Sequence, residues 1–169
     1  MGSADGHDAH ELAVQLIGEL TRRGMTIAVA ESLTGGLVIA ELVSVPGASA
    51  VVRGGVVAYA TELKSTLLGV DAELLAEKSP IDAEVARQMA EGVRWRLGHD
   101  GAPADIGLAT TGVAGPEQQD GHPVGEVWLG IAMDGLVEAH GLTIGGDRAT
   151  IRAATVSESL MFVLEHLSE

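Results

Sequence analysis

The spacing of apolar residues along the chain changes period several times, and each change predicts an element. Leu12, Leu16, Ile17 and Leu20 recur at helical spacing, which predicts a helix over 11–23 closed by Gly24. The run Thr26-Ile27-Ala28-Val29-Ala30 is a short buried strand, and Thr34-Gly35-Gly36 opens a second helix reaching about Ser44. Pro46-Gly47-Ala48-Ser49 is a turn. A strand over 51–59 follows, interrupted at Gly54-Gly55 by a bulge or by a close approach of a ligand. A short helix over 61–68 precedes a strong helical pattern over 81–97, where Val85, Met89, Val93 and Leu97 share a face and Asp82 is the N-cap. Buried strands over 106–110 and 127–133 flank a Gly- and Pro-rich loop at 112–125. Asp134-Gly135 turns the second of them into a hairpin with a strand over 136–144. After Gly145-Gly146-Asp147, a last helix carries Val156, Leu160, Val163, Leu164 and Leu167 on its apolar face.

Strands alternating with helices predict an α/β domain: a mixed, mainly parallel sheet covered on both faces, with an antiparallel C-terminal strand hairpin. At 169 residues the chain suits one core, placed at 11–169. Residues 1–10, with His7 and His10, are expected to form a flexible N-terminal tail. Aromatics are 2% of the chain, so Val, Leu, Ile and Ala must build the core, which favours helices packed closely on the sheet. Glycine is 23 of 169, roughly twice the usual ~7%, and it clusters at turns rather than in a repeat.

Charge and cysteine content narrow the chemistry. A net charge of −14 opposes binding to nucleic acid or to an anionic membrane surface, but leaves room for a small anion at a local positive site. With no cysteine there is no disulfide scaffold, no thiolate nucleophile and no Cys-ligated metal. The six histidines form no HExxH pattern, and no apolar run reaches the ~18–20 residues of a spanning helix. A cytoplasmic protein is the expectation.

Ligands in open α/β sheets bind beyond the C-terminal ends of the strands. Three polar, glycine-rich segments are expected there: Glu31-Ser32-Leu33-Thr34-Gly35-Gly36, the run from Thr110 and Thr111 through Gly112 to Pro116, and Gly145-Gly146-Asp147-Arg148. Ser32, between strand and helix, is placed like the serine of a nucleophile elbow, although G-x-S-x-G is absent; Ser32 or Thr34 capping the helix is the alternative. Lys64 is one of two lysines, and it becomes a base only if burial or a neighbouring cation lowers its pKa; otherwise it is a helix lysine facing solvent. Tyr59 reads as a core or interface aromatic with a polar handle. The 111–116 loop lacks the ending of a P-loop and Gly35-Gly36 is no dinucleotide fingerprint. Arg148, just after a potential cap at Asp147, opposes the helix dipole, which favours a bound ligand or carboxylate there.

Ala30-Glu31-Ser32-Leu33-Thr34-Gly35-Gly36 resembles the A-E-S-x-T-G-G motif of the CinA C-terminal domain family. Further segments agree in order: Val45-Pro46-Gly47-Ala48-Ser49, Gly54 to Tyr59 with Lys64, Leu68-Gly69-Val70, Thr111 to Pro116 with Pro123-Val124-Gly125, and Gly146-Asp147-Arg148 with Ile151-Arg152. The resemblance runs from about Leu12 onward. It implies an α/β/α sandwich, a homodimer or larger homo-oligomer, and hydrolysis of the carboxamide of nicotinamide mononucleotide to nicotinate mononucleotide and ammonia. No cofactor and no metal are implied. By resemblance Ser32 is the nucleophile, Lys64 the base and Tyr59 a residue that relays or orients the proton, with N–H groups near Ser32, Gly35 and Gly36 facing the oxyanion. Glu31, Thr34, Gly35, Gly36, Thr111, Gly112 and Arg148 are the implied substrate contacts. The alternative function is a non-catalytic nucleotide-binding or regulatory module. Two segments depart from the family pattern. His122 stands where a lysine usually precedes P-V-G, in the acidic run 117–122, and Lys78-Ser79-Pro80-Ile81-Asp82 replaces the usual G-x-V-S opening of the long helix.

Overall fold

The computed structural model describes residues 8–168. In chain order these are α1 (Ala9–Arg23), β1 (Ile27–Glu31), α2 (Leu37–Val43), a single 3-10 turn (Ala48–Ala50), β2 (Val52–Val57), α3 (Thr61–Leu68), α4 (Ala72–Lys78), α5 (Ala83–Arg96), β3 (Ile106–Gly112), β4 (Glu126–Met133), β5 (Leu136–Thr143) and α6 (Arg148–Ser168). Of the expected tail, residues 1–7 lie outside the described residues. His10 does not belong to a tail: Asp8 caps α1 by accepting from its N–H, and its ring meets Glu41 at 3.0 Å.

The sheet order is β2-β1-β3-β4-β5, with β1 parallel to both its neighbours and the β3–β4 and β4–β5 pairs antiparallel. The chain leaves β1 through α2 towards β2 and returns through α3–α5 to β3 on the other side. The switch point therefore falls at β1, and the C-terminal ends of β1 and β3 open the crevice where α/β proteins bind ligands. Gly135, at φ 73°, makes the two-residue turn of the β4–β5 hairpin.

Strand alternation sorts residues by size between the two faces. Ile27, Val29, Ile106, Leu108, Val127, Leu129 and Ile131 point towards α1, α2 and α6 and form the larger core. The opposite face offers Ala28, Ala30, Ala109 and Ala132 to α3, α4 and α5. Glycines complete this thin side. A Cβ at Gly107 would lie 2.0 Å from the Ala90 carbonyl oxygen, and one at Gly130 would lie 2.1 Å from that of Ala86. Thus α5 rests its Ala86–Ala90 backbone directly on β3 and β4, the close packing expected of a chain poor in aromatics.

At β2 the interruption is a bulge. Ile27 pairs with Val52 and Ala28 with Gly54, so Arg53 is the extra residue. Gly55 serves helix packing rather than a ligand, since a Cβ there would meet Ile39 of α2 at 3.0 Å. The helix α4 has no counterpart in the sequence reading. Asp71 caps it by accepting from Glu73 N–H, and only Leu75 of its seven residues is buried, too few to print a helical period.

Candidate active site

The strand β1 ends at Glu31, and the chain turns sharply before α2. Gly36, at φ 102°, takes the N-cap position and has no side chain to satisfy the helix. Glu31 does so instead. Its fully buried carboxylate accepts from Gly36 N–H (3.0 Å), Val38 N–H (3.1 Å) and Ile39 N–H (2.8 Å). A carboxylate at this end also complements the helix dipole. Neither Ser32 nor Thr34 caps α2: the Thr34 hydroxyl pairs with that of Thr110 at 2.8 Å, and Ser32 N–H donates to the Thr110 carbonyl at 3.1 Å. Arg152, one turn into α6, donates to the carbonyls of Leu33 (2.9 Å) and Thr34 (3.2 Å). The turn bearing Ser32 is therefore held from the strand, from α2 and from α6.

Freed from capping, Ser32 meets Lys64. The Lys64 Nζ lies 3.0 Å from Ser32 Oγ and donates to the Ala58 carbonyl at 2.8 Å. Lys64 is 1% exposed, so it is not the solvent-facing lysine of the alternative reading. Burial pushes its ammonium down from 10.5 to about 8, against the opposing pull of the Glu62 carboxylate.

Ser32 and Lys64 line a cavity of about 170 Å³ with Tyr59, Thr61, Pro80, Ile81, residues 111–115, Glu117, Gln119 and Arg148. Tyr59 stands at the rim, 60% exposed, and its hydroxyl accepts from Arg148 at 3.2 Å. Among the described residues no hydrogen bond links Tyr59 to Ser32 or Lys64. Exposed Arg148 also donates to the Gly115 carbonyl at 2.8 Å, while Asp147 caps α6 through Thr150 N–H. The Thr111 hydroxyl faces inward and donates to the Pro80 carbonyl at 2.7 Å, joining the end of β3 to the turn before α5.

Four implied substrate contacts, Glu31, Thr34, Gly35 and Gly36, lie behind Ser32 rather than on the cavity wall. The Gly35 and Gly36 N–H groups are also committed, to Ser32 O (3.1 Å) and to Glu31, and do not face an oxyanion. Among the described residues, the N–H groups of Leu33 and Thr34 have no protein acceptor. The sequence reading missed the bracing role of Arg152; its spacing of four from Arg148, which puts both on one helix face, was the available signal. Among the described residues no three His, Asp or Glu side chains converge as a metal site requires. No helix among them is long and apolar enough to cross a membrane.

The profile of the CinA C-terminal domain family matches residues 9–167. A CinA-like protein of Frankia casuarinae is 48% identical over 90% of the chain, and one of Gemmatimonas aurantiaca is 43% identical over 87%. The chain spans about a third of the length of these curated relatives, 34% and 33%. Among solved structures, a competence-damaged protein (CinA) superfamily protein from Klebsiella pneumoniae superposes with a TM-score of 0.90 at 32% identity, covering 96% of this chain and 99% of that one. The competence/damage inducible protein CihA from Agrobacterium tumefaciens does so with a TM-score of 0.88 at 35% identity, over 100% of both chains.

Proposed function

The chain belongs to the CinA C-terminal domain family, and from that premise we propose that it hydrolyses the carboxamide of nicotinamide mononucleotide to nicotinate mononucleotide and ammonia. The observation that carries this reading is the buried Lys64 Nζ at 3.0 Å from Ser32 Oγ. A hydroxyl is a weak nucleophile until a neighbouring base takes its proton, and an ordinary lysine is too fully protonated to do so. With the ammonium lowered to about 8, roughly a tenth of Lys64 is neutral at pH 7.

In the proposed cycle neutral Lys64 accepts the Ser32 proton as Oγ attacks the carboxamide carbon. The N–H group of Leu33, which lines the cavity and has no protein acceptor among the described residues, is the donor available to the tetrahedral oxyanion. Collapse breaks the C–N bond, and Lys64 returns the proton to the departing nitrogen, which leaves as ammonia. Water then attacks the acyl-serine, giving its proton to Lys64, and Ser32 is regenerated. The cavity suits the pyridine end of the substrate, with the ribose phosphate left at the mouth. Arg148, with two of its five donors committed, is the cation placed there to meet it.

The test is ammonia release from nicotinamide mononucleotide, nicotinamide riboside, nicotinamide and NAD, with purified protein in EDTA. Release from the mononucleotide, lost in Ser32→Ala, supports the reading. Tight binding of the mononucleotide without ammonia would instead establish a non-catalytic nucleotide-binding module.

A further inference from the structure

The two segments that depart from the family pattern meet in space. His122 Nε2 lies 3.1 Å from Ser79 Oγ, and His122 Nδ1 lies 3.0 Å from Glu126 Oε2. The other Glu126 oxygen accepts from the Trp128 indole N–H at 3.1 Å, which fixes the carboxylate. A ring nitrogen facing a carboxylate carries the proton, so Nδ1 donates to Glu126 and Nε2 is left to accept from the Ser79 hydroxyl. The polarity of this chain, hydroxyl to imidazole to carboxylate, is that of a serine-hydrolase triad, which is recognised by geometry and roles rather than by sequence order.

Ser79 has a second unusual property. It sits at φ 73°, ψ 167°, a backbone conformation that a residue with a Cβ rarely adopts. Strain of this kind concentrates at functional positions, the exposed serine of a nucleophile elbow among them. The Ser79 hydroxyl also accepts from the Ile81 N–H at 3.1 Å, yet Ser79 takes no part in walling the first cavity, which Pro80 and Ile81 line without it. Half-buried Ser79 opens instead on a neighbouring cleft of about 370 Å³, lined also by Thr61, Leu75, Lys78 and Asp120 and separated from the Ser32 cavity by Pro80 and Thr61.

We propose that Ser79, His122 and Glu126 form a second nucleophilic site, which hydrolyses small carboxylic esters independently of Ser32. Ser79 Oγ bonds to the ester carbonyl carbon while its proton passes to His122 Nε2. The C–O bond to the alcohol then breaks, and the leaving alkoxide takes that proton. Water, deprotonated by His122, cleaves the acyl-serine to the free acid, and the proton returns to Ser79. Esters rather than amides are the class, since an alkoxide departs more readily than an amide nitrogen. Glu126 touches no substrate; it positions the imidazole and sets its tautomer.

The experiment uses Ser32→Ala protein, so that the first site cannot contribute. The protein is treated with an alkyl fluorophosphonate and followed by peptide mass mapping, and p-nitrophenyl acetate turnover is measured in parallel. A phosphonyl adduct on Ser79 is expected, with ester turnover that falls at least ~100-fold in Ser79→Gly and in His122→Gln. Glycine adopts the Ser79 conformation without strain, so that variant folds. Glutamine at 122 keeps hydrogen-bonding groups between the two segments but cannot shuttle a proton, which separates a base from a mere tether. Glu126→Gln, which directs an N–H at Nδ1, should move the ring proton to Nε2 in nitrogen NMR and slow labelling by a similar factor. No adduct at Ser79, labelling that is as fast in His122→Gln, or turnover unchanged by Ser79→Gly would overturn the proposal. Since ammonia release is read on the parent protein, failure here leaves the Ser32 assignment untouched.

Discussion

Replacing Lys64 by Met tests the central claim about the site through stability before any turnover is measured. Burial lowers the folded-state ammonium from 10.5 to about 8. Between those values the unfolded chain holds the proton and the folded chain has released it, so stability rises with pH across this window. Below pH 8 both states are protonated and the full cost of the buried charge is present, about 3 kcal/mol relative to pH above 10.5. Lys64→Met keeps the length of the side chain and removes the charge. It also removes the hydrogen bonds to Ser32 and Ala58, a loss of about 1–3 kcal/mol at any pH. The net change at pH 7 is therefore small, and the informative quantity is its change with pH. Urea unfolding followed by the fluorescence of Trp95 and Trp128 gives that quantity for both proteins at pH 7 and pH 10. Other titrating groups cancel in the difference. The Met variant should lose about 2–3 kcal/mol relative to its parent between the two values. A change below about 0.5 kcal/mol would mean that the amine titrates as in water, and the base assignment would fall with it.

Ser32→Ala and Lys64→Met should each abolish most ammonia release in folded protein, and the double variant should be scarcely worse than either, as groups acting as one unit are grossly non-additive. The initial rate of the parent should rise with pH through about 8, the value at which buried Lys64 becomes neutral; a flat profile from pH 6 to 9 would contradict it. Arg148→Ala should raise KM for nicotinamide mononucleotide roughly 10–150-fold and leave the phosphate-free riboside nearly unaffected; equal losses on both would make Arg148 structural. Glu31→Gln turns an N–H towards the donors at the start of α2, and chemical denaturation should show a loss of about 1–3 kcal/mol.

How much of this was legible in the sequence follows from which residues interact locally. Apolar alternation and glycine punctuation are local, and β1, α5 and the β4–β5 hairpin were readable from them to within a few residues. The cap at Asp82 was equally plain, because its hydrogen bond closes within two residues. The pair Ser32–Lys64 spans 32 positions, and residue spacing alone left each with a bland alternative; only the resemblance joined them. Glu31 misled for a related reason. Reaching back over the turn to three N–H groups is a property of the folded loop, and the adjacent hydroxyls at 32 and 34 advertise capping more loudly. Tyr59 sits one residue past a buried alanine, and nothing in the sequence tells that its ring turns outward to Arg148 instead of inward to the lysine.

The absence of side chains where α5 meets Gly107 and Gly130 bears on how the site tolerates heat and motion. Ordinary helix–sheet contacts adjust through interleaved side chains that can hop between rotamers, and they creep as temperature rises. Here main chain rests on main chain, with nothing between to act as a cushion. The helix can lift off as a whole but cannot shuffle by small amounts. Pro80 and Ile81, which enter α5 and wall the cavity, are thereby referenced to the sheet as a part is to a machined bed. Amide exchange in the middle of α5 should then follow global unfolding, and the wall of the pocket should hold its dimensions up to the melting temperature.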